Sequence, residues 1–120
     1  MNSMASRSRE QLYKSLQNCK SANEQQKVQQ LNEFKSHLDA SPEYWYEFLP
    51  ELLAFEKDPG ADVRIWVVQL IEKRNILSTN LIGLNELDVL CRLCRDGDAG
   101  VVMSVVSCTT RILRPLLVLL

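Results

Sequence analysis

FLPELLAFEKDPGADVRIWVVQLIEKR, residues 48–74, decides the fold, because a run of the same design, ELDVLCRLCRDGDAGVVMSVVSCTTRI at residues 86–112, follows at an offset of 38 residues. At that offset Leu52 matches Leu90, Phe55 matches Leu93, and Lys57-Asp58 matches Arg95-Asp96. Ala61, Val63 and Val67 likewise match Ala99, Val101 and Val105. Each copy reads as an apolar helix, an Asp with small or turn residues after it, and a second apolar helix. Apolar residues at three-to-four spacing put one stripe on each helix. A single hairpin of this kind cannot cover its own stripe, so neighbours must stack to make a continuous core. The pattern predicts an all-α protein, an α-solenoid of about three antiparallel helical hairpins.

The rest of the chain reads outward from this repeat. Ser8-Arg9-Glu10-Gln11 has the form of a capping box before Leu12 and Leu16. A second box, Ser21-Ala22-Asn23-Glu24, opens a helix with the stripe Val28, Leu31, Phe34 or Lys35, and Leu38. Ser41-Pro42 places an N-cap before a Pro at the first helical position. The helix it starts carries Trp45, Phe48, Leu49, Leu52, Leu53 and Phe55, and Asp58-Pro59-Gly60 stops it. A fourth helix, residues 61–74, should bury Val63, Trp66, Val67, Leu70 and Ile71. Residues 75–84 form a connector with a short turn around Leu81. Asn85 is the expected cap of a fifth helix carrying Leu87, Leu90, Cys91 and Cys94. Asp96-Gly97-Asp98 breaks it, and a sixth begins near Ala99. The hairpins are then about 8–39, 42–74 and 85–120, behind a flexible N-terminus at residues 1–7.

Composition agrees and excludes other classes. With 46% hydrophobic and 24% charged residues the chain of 120 is ordinary globular material, not a disordered one. Four Gly and four Pro leave little room for the many turns of an all-β fold. A net charge of −1 is unsuited to gripping nucleic acid, which takes a basic stripe. No apolar run approaches the length of a transmembrane helix. The opening residues hold Arg7, Arg9, Glu10 and Lys14 and no apolar core of a secretory signal. Cys19, Cys91, Cys94 and Cys108 are therefore expected as reduced thiols, in the cytosol or nucleus.

The first copy resembles a HEAT repeat, which has a Pro inside its first helix, an Asp in the turn and a Val-Arg pair opening its second helix. Those residues here are Pro50, Asp58, Val63 and Arg64. Pro50 should bend its helix by removing a backbone donor. Asp58 should accept N–H groups at the start of the next helix, where the dipole favours an anion. Arg64 can reach an Asp of the same or the adjacent turn. The second copy keeps Asp96 and Val101 but has Asp88 for the Pro and Val102 for the Arg, which weakens any ladder of Asp–Arg contacts. The period of 38 is also short of the usual HEAT range of roughly 40–47.

The order of elements is similar to the N-terminal HEAT domain of the symplekin family. The resemblance runs from Phe48-Leu49-Pro50-Glu51-Leu52-Leu53-Ala54-Phe55 through Asp62-Val63-Arg64 to Leu70-Ile71-Glu72. It resumes from Leu90-Cys91-Arg92-Leu93-Cys94-Arg95-Asp96 through Val101-Val102 to Thr109-Thr110, and covers roughly residues 8–115. Where the family tends to carry lysine, the chain has Val102-Met103. The resemblance implies a non-catalytic nuclear scaffold of pre-mRNA 3′-end cleavage and polyadenylation. Its partners would be proteins of that machinery, including a phosphatase of the RNA polymerase II C-terminal domain, which engages repeats largely beyond a chain of this length. A HEAT adaptor in another pathway, in transport or phosphatase scaffolding and with a cytoplasmic location, is the alternative. No cofactor, metal, membrane or direct nucleic-acid contact is expected.

Other constellations are weighed against packing. Cys91-x-x-Cys94 could share a metal, but a structural zinc site takes four ligands and neither Cys19, Cys108 nor His37 has a ligand partner nearby in sequence. Packing is the expected role of these cysteines, as small apolar residues. His37 is expected near a helix C-terminus, where the dipole favours a cation. Tyr44, Trp45, Tyr46 and Phe48 could stack bases, but Asp39, Glu43, Glu47 and Glu51 around them would repel phosphate, so packing between the first two hairpins is expected, with one or two tyrosines at the surface. Arg64, Gln69, Glu72 and Lys73 on the fourth helix, with Arg74 beside them, are the candidate partner-binding face, as second helices are in HEAT arrays. No phosphate loop, GxSxG or HExxH is present. The apolar run Leu116-Leu117-Val118-Leu119-Leu120 lies where another repeat should continue, so a truncated array that self-associates through this end is expected.

Overall fold

The computed structural model describes residues 9–77 and 83–119, with side chains over 9–75 and 83–112. Every described element is helical: α1 (Arg9–Lys20), α2 (Glu24–Ala40), α3 (Trp45–Leu53), α4 (Ala61–Leu77), α5 (Leu84–Leu93) and α6 (Ala99–Leu119), with 3₁₀ turns at Pro42–Tyr44 and Ala54–Lys57. The fold is all-α. The expected arm at residues 1–7, the Ser8 cap, the turn at Leu81 and the apolar side chains at 116–120 lie outside the described residues. The chain divides into two compact units, Met1–Leu52 and Leu53–Leu120.

In the first unit α1 and α2 pack together. Leu12, Leu16 and Cys19 are buried on α1, and Leu31, Phe34 and Leu38 on α2. Each of these leucines, and Phe34, contributes about 1.5–3 kcal/mol by leaving water. Two expectations for α2 change. Its cap is Asn23, in extended conformation, whose side chain accepts the Gln26 N–H at 2.9 Å. Ser21 instead donates its hydroxyl to the Asn18 carbonyl in the turn behind. Asn23 stands next to the first helical residue, within reach of the free N–H groups, and Ser21 does not. The stripe is Lys27, Leu31, Phe34 and Leu38, with Val28 only half-buried. An aliphatic Lys stem can cover apolar surface as Val would.

The aromatic cluster closes this unit. Phe48 is fully buried, with ring centroids 4.6 Å from Tyr13, 5.3 Å from Phe34 and 6.3 Å from Tyr44. Tyr46 is the expected surface tyrosine, 95% exposed. Ser41 precedes a 3₁₀ turn begun by Pro42, with no bond from its hydroxyl to the turn, before α3 starts at Trp45. Pro50 lies inside α3, where it offers no N–H to the carbonyl one turn back.

In the second unit α4 packs most extensively on α6, and α5 packs on both. The repeat offset is visible as matched burial: Val63, Val67 and Leu70 on α4 are as fully buried as Val101, Val105 and Cys108 on α6. Gly100 faces α4 at close range, since a methyl group there would stand 3.0 Å from Asp98 Oδ1 and 3.7 Å from Ile65 Cδ1. Trp66, Val68 and Ile71 are buried too, so α4 is covered over far more than one stripe. It also runs to Leu77, three residues past its expected end.

α5 departs most from expectation. Gly83 precedes it as the cap and Asn85 lies inside its first turn. Its buried residues are Val89, Leu90 and Leu93, whereas Leu87 is 43% exposed and Cys91 and Cys94 face solvent. The packing role expected of those two cysteines is therefore not the one they have. The physical reason is that α5 carries two apolar stripes. Leu84, Leu87, Cys91 and Cys94 form one, Val89, Leu90 and Leu93 the other, and only the second is covered.

Candidate partner-binding face

The face is built on the two turns that start α4 and α6. In each, an Asp carboxylate accepts the N–H two residues on: Asp58 from Gly60 and Asp96 from Asp98, both at 2.9 Å. Asp58 thus does what its position implied, at the residue that caps α4. α6 has an additional bond, from the Val101 N–H to Asp98 Oδ1 at 3.2 Å. That makes Asp98 a side-chain cap, which the reading of residues 96–98 as a simple break had missed.

Arg64 joins the turns. Its Nε and Nη2 donate to the two carboxylate oxygens of Asp96 at 2.8 and 3.1 Å. Its Nη1 donates to the carbonyls of Asp58 and Pro59 at 2.8 and 2.9 Å. The side chains of Arg64 and Asp96 are only 16% and 10% exposed. The forked, charge-assisted geometry is the strong form of this contact. The guanidinium holds the Asp96 carboxyl below the usual aspartate value, helped by the Asp98 N–H and opposed by burial. Arg64 therefore reaches the Asp of the adjacent copy with its fork and the same turn's backbone with its remaining nitrogen.

Two more ion pairs span one repeat. Arg92 donates to Glu56, with Nη2–Oε1 at 2.6 Å, which satisfies an otherwise buried carboxylate. Arg111 donates to Glu72 at 2.8 Å. The sequence reading passed over both. The available signal is opposite charge at separations of 36 and 39 residues, close to the repeat offset.

Of the candidate residues, Gln69 and Glu72 come together, and Lys73 is exposed beside them on α4. With Val68, Gly100, Met103, Ser104, Ser107 and Arg111 they line an open groove of about 290 Å³ between α4 and α6. Arg64 does not line it; its donors are engaged in the turns. Met103, 62% exposed, offers apolar surface, Gln69 and the two serines offer hydrogen bonds, and Glu72–Arg111 offers both charges. Beneath that pair lies Cys108, its thiol pushed up to about 11 by burial, with Glu72 adding to the shift and Arg111 opposing it.

No family model, no curated protein and no solved structure matches the chain. The remaining candidates are placed by geometry. His37 is half-buried in the last turn of α2, and its carbonyl accepts the Ser41 N–H at 3.1 Å. With Cys19, whose thiol points to the Lys27 carbonyl at 3.7 Å, it lines a second groove, between α1 and α2. Elsewhere in this unit Arg9 pairs with the Glu47 carboxylate, and Tyr13 donates to it at 2.8 Å. Those two donors hold the Glu47 carboxyl below its usual range. Among the described residues no three His, Cys, Asp or Glu side chains are grouped to hold a metal ion, and no helix is long and apolar enough to cross a membrane.

Proposed function

We propose that the protein is a non-catalytic scaffold module, symplekin-like, that binds proteins of pre-mRNA 3′-end cleavage and polyadenylation in the nucleus. The observation that carries the scaffold reading is the fork from Arg64 to Asp96, a bond from one copy of the repeat to the turn of the next. Together with the matched burial of Val63 and Val101, it is the internal organisation that a HEAT array needs. The pathway rests on the sequence resemblance described above. The groove beside Gln69, Glu72 and Lys73 is the surface assigned to the partner, a protein segment offering an apolar side chain and polar backbone. A polymerase C-terminal-domain phosphatase is among the partners this reading includes.

The test is affinity capture of the tagged chain from nuclear extract at mild salt, read by mass spectrometry. Recovery of cleavage and polyadenylation factors is expected, with recovery reduced by Gln69→Glu combined with Lys73→Glu. Their absence from the captured set overturns the pathway, and recovery of transport or phosphatase subunits in their place assigns the chain to another HEAT adaptor.

A further inference from the structure

α5 turns one line of side chains to solvent. Leu84, Asp88, Cys91 and Arg95 follow one another at spacings of four, three and four, which keeps them on one face of the helix. Cys94 keeps helical backbone angles, φ −58 and ψ −24, so Arg95 continues the winding. All four residues are exposed, Leu84 to 80%. The two copies of the repeat differ on this side. In the first copy three charged residues reach forward to the second: Glu56 to Arg92, Arg64 to Asp96 and Glu72 to Arg111. At the offset of 38 those positions are Cys94, Val102 and Thr110, none of them charged. Val68, 1% exposed on α4, becomes Val106, 50% exposed on α6. The side of the second copy that answers to the covered side of the first is therefore open and apolar, and it lacks the charges by which one copy of the repeat holds the next.

A second copy of the chain fits such a face. A two-fold contact sets a surface against itself, so a charge of one sign alone would meet its like. Here the exposed line carries one charge of each sign, Asp88 three residues before Cys91 and Arg95 four residues after it. A copy laid antiparallel brings opposite charges together at both ends of the line. We propose that the chain forms a weak two-fold dimer in which α5 lies antiparallel to its counterpart, with Asp88 of each protomer facing Arg95 of the partner subunit. None of the four residues of the line borders the groove between α4 and α6, so the pairing stands apart from the function assigned to that groove. A helix of ten residues offers far less area than a stable dimer interface, so the dilute chain is monomeric and pairing sets in as its concentration rises.

Sedimentation equilibrium of the full chain in reductant, from micromolar to millimolar concentration, tests this. The wild type should approach twice the monomer mass at the top of the range. Asp88→Lys and Arg95→Glu each set like charges against one another at both contacts, and each should raise the dissociation constant by roughly tenfold or more. Mixed in equal amounts, the two variants should dimerise as readily as the wild type, because opposite charges then face each other again at both contacts. Far-UV circular dichroism should match the wild type in both variants, since both positions are exposed. A wild type that stays monomeric throughout, variants that dimerise as readily as it does, or a mixture no better than its components would each overturn the proposal.

Discussion

α4 and α6 follow one plan and begin differently. α4 starts at Gly60, which has no side chain to cap with, and its turn is closed by Arg64 from inside the helix. α6 starts at Asp98, whose carboxylate caps the Val101 N–H, and Val102 stands where the arginine would be. The two devices do different things. A side-chain cap satisfies an orphan donor of its own helix. The arginine fork satisfies the turn behind it and also binds the next copy of the repeat. At these turns the first copy is therefore tied forward to the second, whereas the turn before α6 is capped by its own Asp98.

Substitutions at matched positions test this comparison, and the core pair should show the largest effect. Leu70→Ala should destabilise by about 3 kcal/mol and Cys108→Ala by about 1 kcal/mol in urea unfolding, because the first leaves the larger cavity. Equal losses would mean that the two positions are not equivalent in packing. Arg64→Ala and Asp96→Ala should each destabilise by about 2 kcal/mol, since each strands a partly buried charge. The double variant should lose far less than the sum, and additive losses would break the forward tie.

The same pair has an acid signature. Asp96 is held below its ordinary value of 3.8, so the folded protein binds fewer protons there than the unfolded chain. Its stabilisation is complete above that value and is lost as the pH falls below it. Asp96→Asn should flatten that part of the acid unfolding curve. Asp58→Ala, which removes the carboxylate that accepts the Gly60 N–H, should destabilise by about 1 kcal/mol. The smallest effect belongs to α5: Cys91→Ala and Cys94→Ala should stay within about 0.5 kcal/mol of wild type in the reduced protein. A larger loss would place them in a contact and contradict their exposure.

The repeat was legible in the sequence because its signals are local. Val63 and Val101 follow an Asp by five residues in both copies, and both are fully buried. The Asp58 and Asp96 turns were legible because a carboxylate bonding the N–H two residues on needs nothing distant. The second stripe of α5 was not, because apolar residues on two sides of a helix give periodicity no single answer. The candidate face was legible in part. Gln69, Glu72 and Lys73 are accessible or line the groove, but Arg64, which the sequence places both on that face and within reach of an Asp of its own or the adjacent turn, is held away from it by Asp96, 32 residues on.

By itself the sequence determined the helical class, the positions of the two repeat turns and the residues that must be inside α4. Those follow from helix period, turn chemistry and the free energy of removing apolar surface from water. Only the tertiary structure decided which side of α5 is covered, that Lys27 takes the place expected for Val28, and that Arg64 gives its fork to the adjacent turn's Asp96 and its remaining nitrogen to the backbone of its own turn. Each of those is a choice between surfaces of similar composition, and it is made by which neighbour packs there.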